Sequence, residues 1–276
     1  MTPKPPHRGA PARHRDHGNL TVYGRMPVLE ALQNPAVRLL RLHLARSNQA
    51  SELITQLVQL AERAGAPVSY HSKMELSRIS RNSRQDQGVA ADLHCASLHD
   101  VAALDGAALD SAAPDGAAPG GGGSSRLLAI DRINNPQNLG MAMRSVAAGF
   151  LDGLLLSSEP GNTGLSPLVI KASAGVFFRT PVYRCRQLAE SLAALQRQGY
   201  RVIALEAGAG QSLFDLPVPE RCVFVLGNET DGLSAPVAAL ADQRAAVPLN
   251  RGVESLNVAV TASLVSFLPA LAQRRD

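Results

Sequence analysis

Apolar positions recur along this chain at two periods, near two and near 3.6 residues, and the changes of period mark its elements. Residues 28–32 read as a short helix that stops before Asn34-Pro35, and Leu39-Leu40-Arg41-Leu42-His43-Leu44 alternates as a strand does. Over 51–64, Leu53, Ile54, Leu57, Leu60 and Ala61 share one helical face, with Ser51 placed to cap the first turn. Gly65 closes that helix, 67–70 restarts a strand, and 87–91 closes a small α/β domain spanning 20–96.

From 97 to 125 the periodicity dissolves into Ala, Asp, Gly, Ser and Pro, ending in the run Gly120-Gly121-Gly122-Gly123. That composition predicts a flexible linker. The glycine run lacks the following Lys-Ser/Thr of a phosphate-binding P-loop. Periodicity returns with Arg126-Leu127-Leu128-Ala129-Ile130-Asp131, a buried strand by its content. Segments of both periods then alternate at 139–149, 153–156, 166–174, 188–198, 201–205, 222–226, 236–241 and 256–272. Alternation of this kind predicts a mostly parallel sheet covered by helices, with ligands beyond the carboxyl ends of its strands. Residues 1–19 mix Lys4, Arg8, Arg13 and Arg15 with Pro, Gly and His, and read as a disordered basic tail. The chain thus divides into a tail (1–19), a small domain (20–96), a linker (97–125) and a larger α/β domain (126–276).

Composition changes this picture little. Among 276 residues, 45% are hydrophobic and 18% charged, as in ordinary globular proteins, and without Trp the core must rest on Leu, Val and Ala. The excess of 27 Lys+Arg over 23 Asp+Glu fits an anionic partner such as RNA, and Arg outnumbers Lys, which suits phosphate contacts and base stacking. Cys95, Cys185 and Cys222 are far apart and form no C-x-x-C pair, so neither a zinc ribbon nor a disulfide framework is expected. With no membrane-length apolar run and no signal-peptide core, the expected home is the cytoplasm.

Three polar loops carry the candidate chemistry. The first, 131–144, follows a strand and opens a helix, where free N–H groups favour an anion. Its Asn138 and Arg144 lie close to two helical turns apart and are read as facing one side. The second, 224–234, runs from a strand into a loop bracketed by Gly227 and Gly232 that holds Glu229. The third, 247–257, is a Pro- and Gly-interrupted loop in which Ser255 and Asn257 flank Leu256 before a helix of small residues. Singly, each has a plainer reading: a helix cap with an exposed arginine, a turn with a solvated acid, and a capped core helix. Together, all three fall on one edge of the predicted sheet.

These loops resemble the three signature motifs of the SpoU (TrmH) class of the SPOUT RNA methyltransferases. The matches are Asn135-Pro136-Gln137-Asn138-Leu139-Gly140 with Arg144, then Leu226-Gly227-Asn228-Glu229-Thr230-Asp231-Gly232-Leu233, then 247–258, in family order. Residues 171–175 resemble the segment between the first two. Thr261, Ser263 and Asn135 depart from residues common in the family. Val22-Tyr23-Gly24 and Gln87-Gly88-Val89-Ala90 make 20–96 similar to the small ribosomal-protein-like substrate-binding domain of many members.

The resemblance implies a trefoil-knotted domain acting as a homodimer on RNA, with S-adenosylmethionine as cofactor and no metal. Carried over, Leu226, Gly227, Val247, Leu249 and Leu256 contact the cofactor, and Asn138, Arg144, Glu229, Ser255 and Asn257 form the catalytic set. The expected reaction is methyl transfer to a ribose 2′-hydroxyl. Because guanidinium stays protonated, Arg144 is expected to anchor phosphate and oxyanion, with the substrate phosphate or water assisting proton removal. Ribosomal RNA is favoured slightly over tRNA. A competing reading is an RNA-binding protein on the same scaffold without catalysis. A nucleotide-binding oxidoreductase fails because no strand is followed by G-x-G-x-x-G.

Overall fold

Two sheets organise the residues described by this computed structural model, 18–104 and 124–272. Most of the expected tail and linker, residues 1–17 and 105–123, lie outside the described residues, while Asn19, counted with the tail, opens the first strand.

In the N-terminal unit, strands β1 (Asn19–Tyr23), β2 (Val37–Ala45), β3 (Val68–His71) and β4 (Val89–Cys95) form a sheet of order β1-β4-β2-β3. Strand alternation puts Val22, Leu42, Leu44, Ala91 and Leu93 on one face. There they pack against Val28, Leu29 and Ala31 of α1 (Arg25–Leu32) and Leu57 and Ala61 of α2 (Glu52–Arg63). Ser51 caps α2, its Oγ accepting from Ile54 N–H. A further helix, α3 (Lys73–Ser80), escaped the pattern analysis because its buried stripe is narrow. It starts from a reciprocal Ser72/Glu75 capping box and rests Leu76 on Ala45 and Ala90.

The second sheet has seven strands, all parallel, in the order β11-β9-β10-β6-β7-β8-β5. They are β5 (Leu98–Asp100), β6 (Ser125–Ile130), β7 (Gly153–Ser157), β8 (Val182–Cys185), β9 (Arg201–Leu205), β10 (Arg221–Leu226) and β11 (Gln243–Ala245). Helices α4 (Pro136–Ala148), α5 (Pro167–Ala172), α6 (Leu188–Arg197), α7 (Ala235–Ala238) and α8 (Val258–Ala272) accompany them. Continuous buried runs such as Leu127–Ile130 and Val223–Leu226 suit strands covered on both faces.

One expectation is corrected here. Residues 98–104, assigned to the linker, form β5 and a short 3-10 turn: β5 pairs with β8, and Leu98 and Leu104 are buried. Three residues are too few for a period to register, so only pairing with β8 reveals the strand.

From β6 the chain lays β7 and β8 to one side, then returns to place β9 and β10 on the other. The order therefore reverses between β6 and β10, and the loops leaving their ends, after Ile130 and Leu226, open onto the crevice such a reversal creates. Finally α8 comes back across α4. At Gly149 the two approach so closely that a Cβ would lie 2.5 Å from the Ser266 carbonyl oxygen. Phe150 N–H donates to that oxygen at 2.7 Å, and the Ser145 and Ser263 hydroxyls pair at 2.7 Å. Gly149 must lack a side chain for this crossing to close.

Candidate active site

The loop after β6 and the loop after β10 are laced together before any site side chain is considered. Asn228 Nδ2 donates to the Arg132 carbonyl at 2.8 Å, and Arg132 Nη2 donates back to the Gly232 carbonyl at 3.0 Å. Buried Asp131 accepts from Ser234 N–H at 2.6 Å, at the start of α7. Within the second loop, Asn228 and Gly232 exchange backbone hydrogen bonds across a tight turn. Gly227 is required there: a Cβ would fall 2.4 Å from the Gly232 carbonyl carbon. Asp131, Arg132 and Asn228 received no role from sequence, since latches between loops carry no periodic signal.

On this frame three predicted residues from three motifs converge. Asn138 Nδ2 donates to Glu229 Oε1 at 2.6 Å; Asn257 Nδ2 donates to the same oxygen at 3.1 Å and to Asn138 Oδ1 at 3.3 Å. Asn257 also caps α8, its Oδ1 accepting from Ala259 N–H at 2.8 Å. Cap and site are therefore the same side chain. Asn138 does not cap α4: that is done by Asn135, whose Oδ1 accepts from Gln137 N–H, while Asn138 sits one turn in and is only 4% exposed.

Beside the triangle lies a cavity of about 450 Å³ between the ends of β9 and β10 and the segment 247–256. Leu226, Gly227, Val247, Leu249 and Leu256, the five expected cofactor contacts, all line it, as do Glu229 and Ser255. Glu206 and Glu254, which sequence reasoning did not single out, line it too, as does Thr261, noted there only as a departure from the family pattern. Its size lies within the usual range for small-ligand sites, and its walls combine leucine and valine side chains with exposed loop backbone. Those features fit a nucleoside with a polar tail.

Arg144 stands apart from this group. At 100° per residue, six positions turn a helix to about 120° from the starting direction, so Asn138 and Arg144 do not share a side as the spacing was read to allow. Asn138 points inward, whereas Arg144 is exposed and has no hydrogen-bond or ion-pair partner among the described residues. It shares the open side of α4 with Met141 and Ala148. Other exposed apolar side chains lie at the end of α4 and along α8, namely Phe150, Val260, Phe267 and Leu271, with the Phe150 and Phe267 rings in edge contact at 6.1 Å.

The fold and site define an α/β enzyme domain with a nucleoside-sized cavity and an amide–carboxylate triangle at the reversal of a parallel sheet. Comparison with known proteins makes this particular. The profile described as SpoU rRNA Methylase family matches residues 125–267, and one described as RNA 2'-O ribose methyltransferase substrate binding matches 21–97. An uncharacterized tRNA/rRNA methyltransferase of Mycobacterium ulcerans is 33% identical over 265 residues, covering 96% of this chain and 80% of the relative. One from Mycobacterium bovis is 33% identical over 255 residues, covering 92% and 74%. Among solved structures, the SpoU methyltransferase AviRb of Streptomyces viridochromogenes, in complex with AdoMet, aligns with a TM-score of 0.62 at 18% identity, covering 94% of this chain and 91% of that one. The chain belongs to the SpoU family of S-adenosylmethionine-dependent RNA methyltransferases.

No group of acidic, His or Cys side chains among the described residues could hold a metal, and no described helix is long and apolar enough to cross a membrane. Burial pushes the Cys95 and Cys222 thiols up to about 12 and that of Cys185 up to about 11, so none is a ready nucleophile.

Proposed function

We propose that this protein methylates the 2′-hydroxyl of a ribose in structured RNA, with ribosomal RNA favoured over tRNA, and that it works in the cytoplasm as a homodimer. The observation that carries the reading is the Asn138–Glu229–Asn257 triangle set against the cavity that Leu226, Gly227, Val247, Leu249 and Leu256 line. S-adenosylmethionine, when bound, supplies an electrophilic methyl group. The chain's own residues must then hold the hydroxyl in line with that methyl and help its proton leave.

Glu229, fixed by two amide donors, holds the loop after β10 in register with α4 and α8. Ser255, exposed on the cavity wall, is available to the ribose. Arg144 serves as the phosphate and oxyanion anchor, a role a permanently charged planar donor fits better than that of base. Its separation from the triangle supports delivery across a dimer interface. The exposed Met141, Phe150, Val260, Phe267 and Leu271 on the packed helices α4 and α8 offer the apolar surface that such an interface buries. The return of α8 over α4 and the use of 247–256 as a cavity wall support reading this segment as the last pass of a knot.

The test is to map 2′-O-methyl positions in ribosomal RNA and tRNA from a strain lacking the gene, with and without complementation by wild type and Arg144→Ala. Loss of one methyl mark, restored by wild type alone, is expected. Wild-type single-turnover transfer by Arg144→Ala at saturating RNA would remove Arg144 from the mechanism.

A further inference from the structure

Away from the cavity, the N-terminal sheet carries an arrangement that the methyl-transfer site does not use. Each of its four strands, in spatial order, contributes one side chain to a single hydrogen-bonded row. Thr21 of β1 donates to Asp92 Oδ1 of β4 at 2.7 Å, Asp92 Oδ2 meets His43 Nε2 of β2 at 3.0 Å, and His43 Nδ1 meets His71 Nε2 of β3 at 2.9 Å. The carboxylate fixes the tautomers: His43 presents Nε2–H to Asp92, and its Nδ1 accepts from His71 Nε2–H. His71 is thereby held with Nδ1 free of this row.

The row lies on the sheet face opposite the one that α1 and α2 cover, and α3 shields only its Ala45–Ala90 end. Arg38 and Arg41 share this face, being the register partners of His94 and Asp92, and both are exposed. Arg41 Nη1 is steadied by Ser69 Oγ at 3.0 Å, and neither arginine forms an ion pair among the described residues. Arg46 follows β2 close enough to act on His71. Against these guanidiniums and the imidazoles of His43, His71 and His94, the strands of this face offer one carboxylate among the described residues, Asp92. Its two oxygens are taken by Thr21 and His43. Glu75, the acid nearest on α3, is tied to Ser72 N–H at 2.8 Å.

We infer that this open sheet face docks the phosphate backbone of the substrate RNA, with Arg38 and Arg41 as phosphate contacts and His71 as a third contact oriented by the Asp92–His43 pair. The inference rests on the RNA reading above and names the surface that reading leaves open. The match is one of charge and preorganisation: phosphate contacts position an RNA without reading its bases, and with Asp92 internally satisfied the Arg38 and Arg41 guanidiniums face it as donors, joined by His71 Nδ1 once that nitrogen is protonated. His71 is held below the usual imidazole value, by burial first and then by His43, Arg46 and Arg41 against the opposing pull of Glu75. A phosphate at Nδ1 would reverse that balance, so docking takes up a proton.

The experiment is fluorescence anisotropy on the full chain with two labelled probes, fragmented ribosomal RNA and bulk tRNA, across a salt series. Arg41→Glu should weaken binding by about tenfold or more and make the slope of log affinity against log salt shallower by about 0.7–0.9 per lost contact. Arg63→Glu, the same charge change on α2 behind the sheet, should stay within about twofold of wild type. His71→Gln should flatten the strengthening of binding from mildly alkaline to mildly acidic pH, with circular dichroism confirming that each variant folds. Equal weakening by Arg41→Glu and Arg63→Glu, or none by Arg41→Glu, overturns the docking face while leaving the enzyme reading intact. Wild-type protein that binds neither probe overturns the RNA reading itself, and the face with it.

Discussion

The hydrogen bond between Asn138 and Glu229 is the structural claim on which the site most depends, and a double-mutant cycle measures it. Asn138→Ala removes a donor at 2.6 Å from a carboxylate and the acceptor of the Asn257 bond at 3.3 Å. A hydrogen bond to a charged group contributes about 1.5–3 kcal/mol and a neutral one about 1 kcal/mol. Glu229 is exposed, so water recovers part of its loss and about 2 kcal/mol in total is expected. Glu229→Ala acts from the other side: it leaves the Asn138 amide, 4% exposed, short of an acceptor, at a cost of about 1–3 kcal/mol. The double variant loses the shared bond only once, so the coupling should be about 1–1.5 kcal/mol. Urea unfolding followed by circular dichroism reads all four proteins, with an unchanged denaturant slope as the condition for comparison. Effects that add within about 0.3–0.5 kcal/mol would mean that the two side chains do not interact, and the triangle would have to be abandoned.

Other expectations follow from the same geometry. Gly227→Ala drives a Cβ into the Gly232 backbone and should open the loop after β10, with at least about tenfold weaker S-adenosylmethionine binding by calorimetry; unchanged affinity would show that this loop is not a cofactor wall. Phe267→Arg places a charge among the exposed apolar side chains of α4 and α8 and should give a folded monomer by sedimentation with methyl transfer lost, whereas an intact dimer would move the interface elsewhere. The His43 hydrogen bond, opposed by burial and aided by Thr21, holds Asp92 below the usual carboxylate range. A depressed folded-state value means its stabilisation is present above the unfolded-state value and lost as pH falls through the folded one. Asp92→Asn should therefore be less stable than wild type near neutrality, with the gap closing in acid; a gap independent of pH would count against the His43–Asp92 pair.

The chain's periodicity was enough to separate two α/β units, to place α2 through Leu57, Ala61 and the Ser51 cap, and to mark β6 and β10 by their unbroken apolar runs. It also identified the three polar loops, because Pro136, Gly227 and Gly252 interrupt those runs locally and a local signal survives in one dimension. What it could not supply was anything set by pairing. The strand β5, taken for linker, exists only because β8 is beside it. Latches such as Asn228 to the Arg132 carbonyl join residues 96 positions apart, and the row from Thr21 to His71 depends on the order β1-β4-β2-β3, which no single strand encodes. The pair Asn138 and Arg144 illustrates the difference. Their residue types were legible, and helix periodicity already sets them roughly 120° apart on α4, but that Asn138 is buried against Glu229 and Asn257 while Arg144 stays exposed was decided in three dimensions. Helix and strand follow from neighbours along the chain, whereas a site follows from neighbours in space, and only the packed sheet brings those together.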